Sequence, residues 1–330
     1  MMPEKIEKEL KWAVLGTGVI ANEMVQALEK MGKKLYAVAN RTHGKAVEFA
    51  KKYGVQKVYD NIEDMFTDEE TDIIYITTPH NTHIKFMIEA LKNGKHVLCE
   101  KSITLNSEEL EEAVEIAKEK NLILGEAMTI FNMPLYTELL EIVNSGKLGD
   151  VKMIQVNFGS YKEYDMSNRF FNRNLAGGAL LDIGVYAISI TRLFMLSKPD
   201  NVLSQVKYAP TGVDEQVGII MMNKEQQMST IALTLHSKQP KRVVIACEKA
   251  YIEITEYPRA DKAKIVYTET GEVEEITTGM TSNALQYELQ NMEESVRTGI
   301  NKMKLEYTID VMDIMTKLRK DWGMTYPEEE

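Results

Sequence analysis

The chain of 330 residues is short of cysteine, histidine and basic charge, and each shortage excludes something. Only Cys99 and Cys247 are present, far apart and each inside an apolar run. A disulfide scaffold is therefore excluded, and two buried thiols in a reducing compartment are expected. Five histidines are present, and zinc sites usually draw on more neighbouring Cys and His than these provide. His80 and His83, with Asp72 and His96 nearby in sequence, form no metal motif, and no metal is expected. Lys and Arg number 39 against 50 Asp and Glu, a net charge of −11. Such a chain lacks the broad positive field of a nucleic-acid binder, although it can hold a small anion locally. The amino-terminal MMPEKIEKELK has no apolar core and does not read as a signal sequence. Gly177–Leu196 is apolar enough to suggest a membrane span, but Asp182 and Arg192 within it favour a buried helix. No membrane partner and a cytoplasmic location are the expectations.

What the sequence does contain is ordinary globular material, 44% apolar and 27% charged, with no repeat and no low-complexity segment. Its length suggests two domains. Up to residue 126, short β-rich runs (Trp12–Leu15, Leu35–Ala39, Lys57–Tyr59, Ile73–Thr77, His96–Cys99, Leu122–Leu124) alternate with helical patterns, as in a doubly wound parallel sheet. From 127 to 330 the pattern changes to longer β runs (Val151–Phe158, Asn201–Tyr208, Val217–Met222, Met228–Thr234, Arg242–Cys247, Tyr251–Thr255). These predict an α/β domain with a large, mostly antiparallel open sheet, one helix at 177–196, and closing helices near 282–298 and 307–320. The acidic Pro-Glu-Glu-Glu end is expected to be solvated.

The first strand runs into Gly16-Thr17-Gly18-Val19-Ile20-Ala21 and a helix follows, which is G-x-G-x-x-A in a strand–turn–helix context. Gly16 suits the tight turn, Gly18 lets backbone approach a pyrophosphate, and Ala21 lets helix and strand pack closely. The second strand ends at Asn40 and Arg41 with no carboxylate from 35 to 47, where an NAD site usually has one. Arg41 can pair with a 2′-phosphate through its planar fork, with Lys45 in support. NADP is thus the expected cofactor, with NAD the alternative if Arg41 is only a solvated loop charge.

Two further segments end where ligands of such sheets bind. Thr77-Thr78-Pro79 stops the fourth strand ahead of His83, and Glu100-Lys101 delivers a lysine at a strand tip, either functional or simply paired with Glu100. In the second half, Asp182 and Tyr186 lie four apart on an apolar helix and so share a face. They form either a carboxylate–phenol pair for chemistry, or a cap and a core aromatic. The residues expected at the cofactor are Gly16, Thr17, Gly18, Val19, Ile20, Asn40, Arg41, Thr78, Pro79, His83, Glu100 and Lys101.

Gly16–Ala21, GKHVLCEK ending at Lys101 and AGGALLDIGVY around Asp182 together resemble the Gfo/Idh/MocA oxidoreductases, the relatives of glucose–fructose oxidoreductase, inositol dehydrogenase and dimeric dihydrodiol dehydrogenase. The resemblance spans essentially the whole chain. It implies an NAD(P)-binding Rossmann domain, an open-sheet second domain, and hydride transfer to or from a sugar, polyol or cyclic hydroxy/keto compound. It also implies that Lys101, Asp182 and Tyr186 are catalytic. Two departures stand out: Ser102 follows Lys101 where the family commonly has proline, and Glu126–Phe131 lacks the Trp and Arg of the dihydrodiol-dehydrogenase branch. Arg169 matches a family arginine only loosely. The rival readings are nicotinamide-dependent glycoside cleavage on the same fold and a non-catalytic NAD(P) sensor, which need not keep Lys101, Asp182 and Tyr186 together. Apolar residues on an open sheet need covering, so a homodimer is expected.

Overall fold

A computed structural model describes residues 9–330. Most of the amino-terminal stretch read above as lacking a signal sequence lies outside them. The chain divides into two units: Met1–Met128 with Leu285–Leu305, and Thr129–Ala284 with Glu306–Glu330. This differs from the contiguous division expected at 126. Helix Ala284–Thr298 belongs to the first unit because Leu285, Leu289 and Met292 join the core around Trp12 and Val14. Glu293 on this helix accepts the Trp12 indole N–H at 3.1 Å and pairs with Lys33 and Arg297.

The first unit is a six-stranded parallel sheet of β1 (Trp12–Leu15), β2 (Ala37–Ala39), β3 (Lys57–Val58), β4 (Ile73–Ile76), β5 (His96–Glu100) and β6 (Leu124–Ala127). Its order is β3-β2-β1-β4-β5-β6. β1, β2, β4 and β6 are buried along their whole length, as strands covered by helices on both faces must be. The order reverses between β1 and β4, so a crevice opens at the carboxyl ends of those strands. The helix Ser107–Glu119 is capped by Asn106, whose side chain accepts the Glu109 N–H at 2.9 Å.

The second unit holds an eight-stranded sheet: β7 (Val151–Gly159), β8 (Asn201–Tyr208), β9 (Asp214–Met222), β10 (Met228–Thr234), β11 (Gln239–Cys247), β12 (Ala250–Thr255), β13 (Lys262–Tyr267) and β14 (Val273–Thr277). The order is β14-β13-β12-β11-β7-β10-β9-β8, antiparallel except for β7 with β10. The hairpin β13–β14 was absent from the expected strands. On one face Ile154, Ile231, Ile245 and Ile252 are buried, and the apolar helix at 180–194 packs on β7 and β10. By length and composition Arg173–Phe194 could cross a membrane, but 78% of its most apolar window is buried within the fold. Cys99 is fully buried as expected; Cys247, on β11, is only half-buried.

Pro327, Glu328 and Glu330 are exposed, as expected of the acidic Pro-Glu-Glu-Glu end, yet the segment is anchored to the fold. Tyr326 is completely buried, and Arg319 grips the Glu329 carboxylate through two bonds of 2.6 and 2.7 Å. Arg173 donates to the Thr325 carbonyl at 2.9 Å and pairs with Glu330.

Candidate active site

Three segments of the first unit end at the crevice. After β1, Gly16 has φ +113, and a Cβ there would lie 2.5 Å from Thr77 Oγ1. Only glycine fits that turn. Its N–H donates to the Ala39 carbonyl at 2.9 Å, and Thr77 N–H donates to Leu15 at 2.9 Å, so the tips of β1, β2 and β4 are tied together. Gly18 and Val19 stand exposed at the start of helix Val19–Lys30, whose first turn has no acidic residue. A Cβ on Gly18 would meet nothing within 4 Å, leaving open space over free helical N–H groups. Ala21 is fully buried beneath them.

After β2, the Asn40 side chain is turned onto the Thr42 carbonyl at 3.0 Å. Arg41 and Lys45 are exposed, and neither makes an ion pair among the described residues. Two uncommitted cations and a carboxylate-free helix N-terminus fit a phosphorylated dinucleotide.

After β5, the loop carrying Lys101 is held by its backbone. His80 Nε2 faces the Lys101 carbonyl at 3.1 Å, and His83 Nδ1 faces the Ser102 carbonyl at 3.0 Å. The buried Glu126 accepts the Ile103 N–H at 3.1 Å, and Glu109 accepts that of Leu105 at 3.0 Å. The Lys101–Ser102 peptide is cis. Glu100 receives the hydroxyl of Tyr75, whose phenol burial holds protonated, as does the neighbouring carboxylate.

His83 corrects an expectation. Placed above at the cofactor, it is completely buried and offers no surface to a ligand. Its Nε2 faces the Thr78 carbonyl at 2.8 Å while Nδ1 faces Ser102, so the ring bridges the β4 and β5 loops. Burial pushes its pKa down, against carbonyls that favour the protonated ring. Thr78 and Pro79 remain at the crevice: the Thr78 hydroxyl accepts from Thr82 at 2.8 Å, and Pro79 is exposed.

In the second unit, Asp182 sits in a π-turn, Leu180–Gly184, and Tyr186 in the helix Val185–Phe194 that continues it. The regular α-helix expected here is thus widened at the carboxylate, a feature common at functional sites. Gly184 lets the helix pack closely there, since a Cβ would come within 2.9 Å of the Leu233 Cδ1 methyl. Asp182 is 9% exposed, with Arg169 Nη2 at 3.7 Å. The Tyr186 ring lies 6.1 Å from that of Phe158. The start of the turn is fixed by Asp214, whose Oδ2 accepts the Leu180 N–H at 2.6 Å. Burial raises the Asp214 carboxyl to about 7. Sequence reading missed His80, Glu126 and Asp214, because their partners are backbone groups distant in sequence. The expected catalytic residues divide between the units: Lys101 in the first, Asp182 and Tyr186 in the second. Among the described residues no group of three or more His, Cys, Asp or Glu is placed to hold a metal.

The family model for an oxidoreductase family with an NAD-binding Rossmann fold matches residues 10–128, and that for the GFO/IDH/MocA C-terminal domain matches 136–253. Trans-1,2-dihydrobenzene-1,2-diol dehydrogenase of Xenopus laevis is 29% identical over 329 residues, covering 96% of this chain and 99% of its own. The Homo sapiens enzyme of that name is 27% identical over 332 residues, at 97% and 99% coverage. Among solved structures, levoglucosan dehydrogenase in complex with NADH and levoglucosan superposes with a TM-score of 0.84 at 16% identity, covering 96% of this chain and 98% of that one. A 3-ketoreductase of Actinomadura kijaniata, as a mutant in complex with TDP-benzene and NADP, gives 0.83 at 18%, also with 96% and 98% coverage.

Proposed function

Because the chain belongs to the Gfo/Idh/MocA family of NAD(P)-dependent oxidoreductases, we propose that it interconverts a hydroxyl and a carbonyl on a sugar, polyol or related cyclic compound, with NADP preferred. The relatives support this substrate class by name: a cyclic diol dehydrogenase, a ketoreductase and an anhydrosugar dehydrogenase. The bound nicotinamide supplies or accepts the hydride. The chain's task is the proton at the substrate oxygen and the orientation of the carbon. Tyr186 exchanges that proton, Lys101 polarises the oxygen with its ammonium, and Asp182 accepts a hydrogen bond from a neighbouring hydroxyl.

The observation that carries the reading is the Lys101 loop. Its backbone is fixed by His80, His83 and Glu126 at 3.0–3.1 Å, which is preorganisation a surface lysine does not need. The NADP preference rests on Arg41, exposed and without an ion pair among the described residues, where a ribose carboxylate would otherwise stand.

The outer face of the eight-stranded sheet supports a homodimer. The strand register places Met222, Met228, Met153, Ala246, Tyr251, Val266 and Val273 in one row across it, with Leu203 and Ile220 beside them. Met153, Ile220 and Val273 are 40%, 48% and 51% exposed, an apolar strip of the kind that marks an interface.

A screen of sugars, inositols and cyclic diols, following reduced-nicotinamide absorbance with each cofactor, tests the function. Turnover that Lys101→Met abolishes is expected. Release of sugar from a glycoside with no net change in cofactor would replace oxidation by redox-assisted cleavage. Binding of NADP with no turnover on any compound would favour the sensor.

A further inference from the structure

The chain enters the helix bearing Asp182 and Tyr186 through Gly177-Gly178, and two groups far away in sequence hold that entrance. Asp214, at the start of β9, takes the Leu180 N–H on one side. On the other, the Tyr326 hydroxyl donates to the Gly177 carbonyl at 2.6 Å. Both side chains are completely buried. They also fill the space above Gly178: a Cβ there would meet Asp214 Oδ1 at 2.2 Å and Tyr326 Oη at 3.4 Å. Gly178 has φ +126, so the turn is a backbone shape that its surroundings must maintain.

Tyr326 is itself fixed from three directions. Its N–H donates to Glu329 at 2.8 Å, and the same carboxylate is gripped by Arg319. The Arg319 guanidinium lies over its ring, 4.8 Å from the centroid. Arg173, the first residue of the short helix Arg173–Leu175 before the turn, ties Thr325 and Glu330 to that segment. A buried carbonyl at a helix entrance needs a donor, and here the donor comes from the last five residues of the chain.

We propose that Tyr326 is a positioning residue for the reaction assigned above: its hydroxyl latches the Gly177 turn and thereby sets where Asp182 and Tyr186 stand. The proposal rests on the oxidoreductase reading for its catalytic half. The latch itself is a statement about the fold alone. The π-turn gives the idea its force, because one shifted hydrogen-bond register between Leu180 and Gly184 leaves the carboxylate dependent on how the first turn is anchored.

The test uses the full chain with Tyr326→Phe, which keeps the ring beneath Arg319 and removes only the hydroxyl. Glu329→Gln, which weakens the Arg319 grip, is the second variant. Tyr267→Phe is the control: it deletes a tyrosine hydroxyl bonded to Glu274 at 2.6 Å on β13, in the same unit. Hydrogen exchange is measured over peptides covering 178–186, and kcat and the cofactor KM are measured on a substrate from the screen.

Both latch variants should exchange about tenfold faster there, while the control does not. Their kcat should fall about tenfold or more with the cofactor KM unchanged. Exchange equal to wild type would overturn the latch, and faster exchange with undiminished kcat would overturn the positioning role. A wild-type chain inert toward every compound would overturn the oxidoreductase reading and the positioning role with it. Exchange would still decide the latch.

Discussion

Alanine at Gly16 and at Gly18, tested separately, distinguishes a glycine needed for folding from one needed for binding. At Gly16 the residue must hold φ +113 while its new methyl lies 2.5 Å from Thr77 Oγ1 and 3.1 Å from the Thr77 carbonyl. Holding a non-glycine residue there costs about 1–3 kcal/mol. Moving Thr77 aside breaks its 3.0 Å bond to the Leu15 carbonyl, about 1 kcal/mol more. A loss near 3 kcal/mol corresponds to a Tm lowered by about 6–12 °C. Gly18 is the opposite case: φ is −74, and nothing lies within 4 Å of the added Cβ. Its Tm should stay level or rise slightly, since alanine restricts the unfolded chain. The methyl would instead occupy the approach to the pyrophosphate, and NADP affinity should fall about tenfold or more. Thermal melts without ligand and fluorescence titration with NADP measure the two effects. The reasoning is refuted if Gly18→Ala binds NADP within about twofold of wild type, or melts as low as Gly16→Ala.

Three other outcomes are expected. Arg41→Ala should weaken NADP binding about tenfold or more and NAD binding little, because only the 2′-phosphate uses the guanidinium; equal losses by titration would remove the NADP assignment. Asp214, raised to about 7 by burial, binds its proton more tightly folded than unfolded. Its stabilising effect is therefore complete below about pH 4 and lost as pH rises through 7, a change of order 4 kcal/mol. Asp214→Asn should flatten that part of the stability–pH curve in urea unfolding, and parallel curves for the two proteins would sink the argument. Ile220→Asp, in the exposed strip on the sheet, should convert a dimer to monomer by light scattering; a wild-type monomer would end the dimer proposal.

The parts of the fold legible in the sequence are those where apolar period and glycine chemistry agree. Strands β1, β8 and β10 were expected with the bounds observed, and the Gly16–Ala21 turn sits where its motif requires. The hairpin β13–β14 escaped because KAKIVY and VEEIT alternate lysine and glutamate with apolar residues, as edge strands often do, and read as loop. β9 begins three residues before its apolar run, at Asp214 and Glu215. Both carboxylates are buried: Asp214 meets the Leu180 N–H, and Glu215 meets Lys207 and Tyr164. No local pattern announces such partners. The same holds for Ala284–Thr298, an ordinary amphipathic helix whose membership in the first unit is decided by Trp12 and Glu293, 281 residues apart. His83 shows the limit for the site. Its position after a Thr-Pro stop suggested a cofactor contact, and only the fold reveals that both ring nitrogens turn inward onto backbone carbonyls.

The most direct measurement follows a label. NADPH carrying deuterium at the transferable position of the nicotinamide is incubated with the chain and a panel of keto sugars and cyclic ketones, and the products are read by mass spectrometry. Deuterium on the new carbinol carbon is expected with wild type, and at least about a hundredfold less with Lys101→Met. Transfer to no compound in the panel, or transfer by Lys101→Met at the wild-type rate, would contradict the assignment of this chain as a Lys101-dependent oxidoreductase.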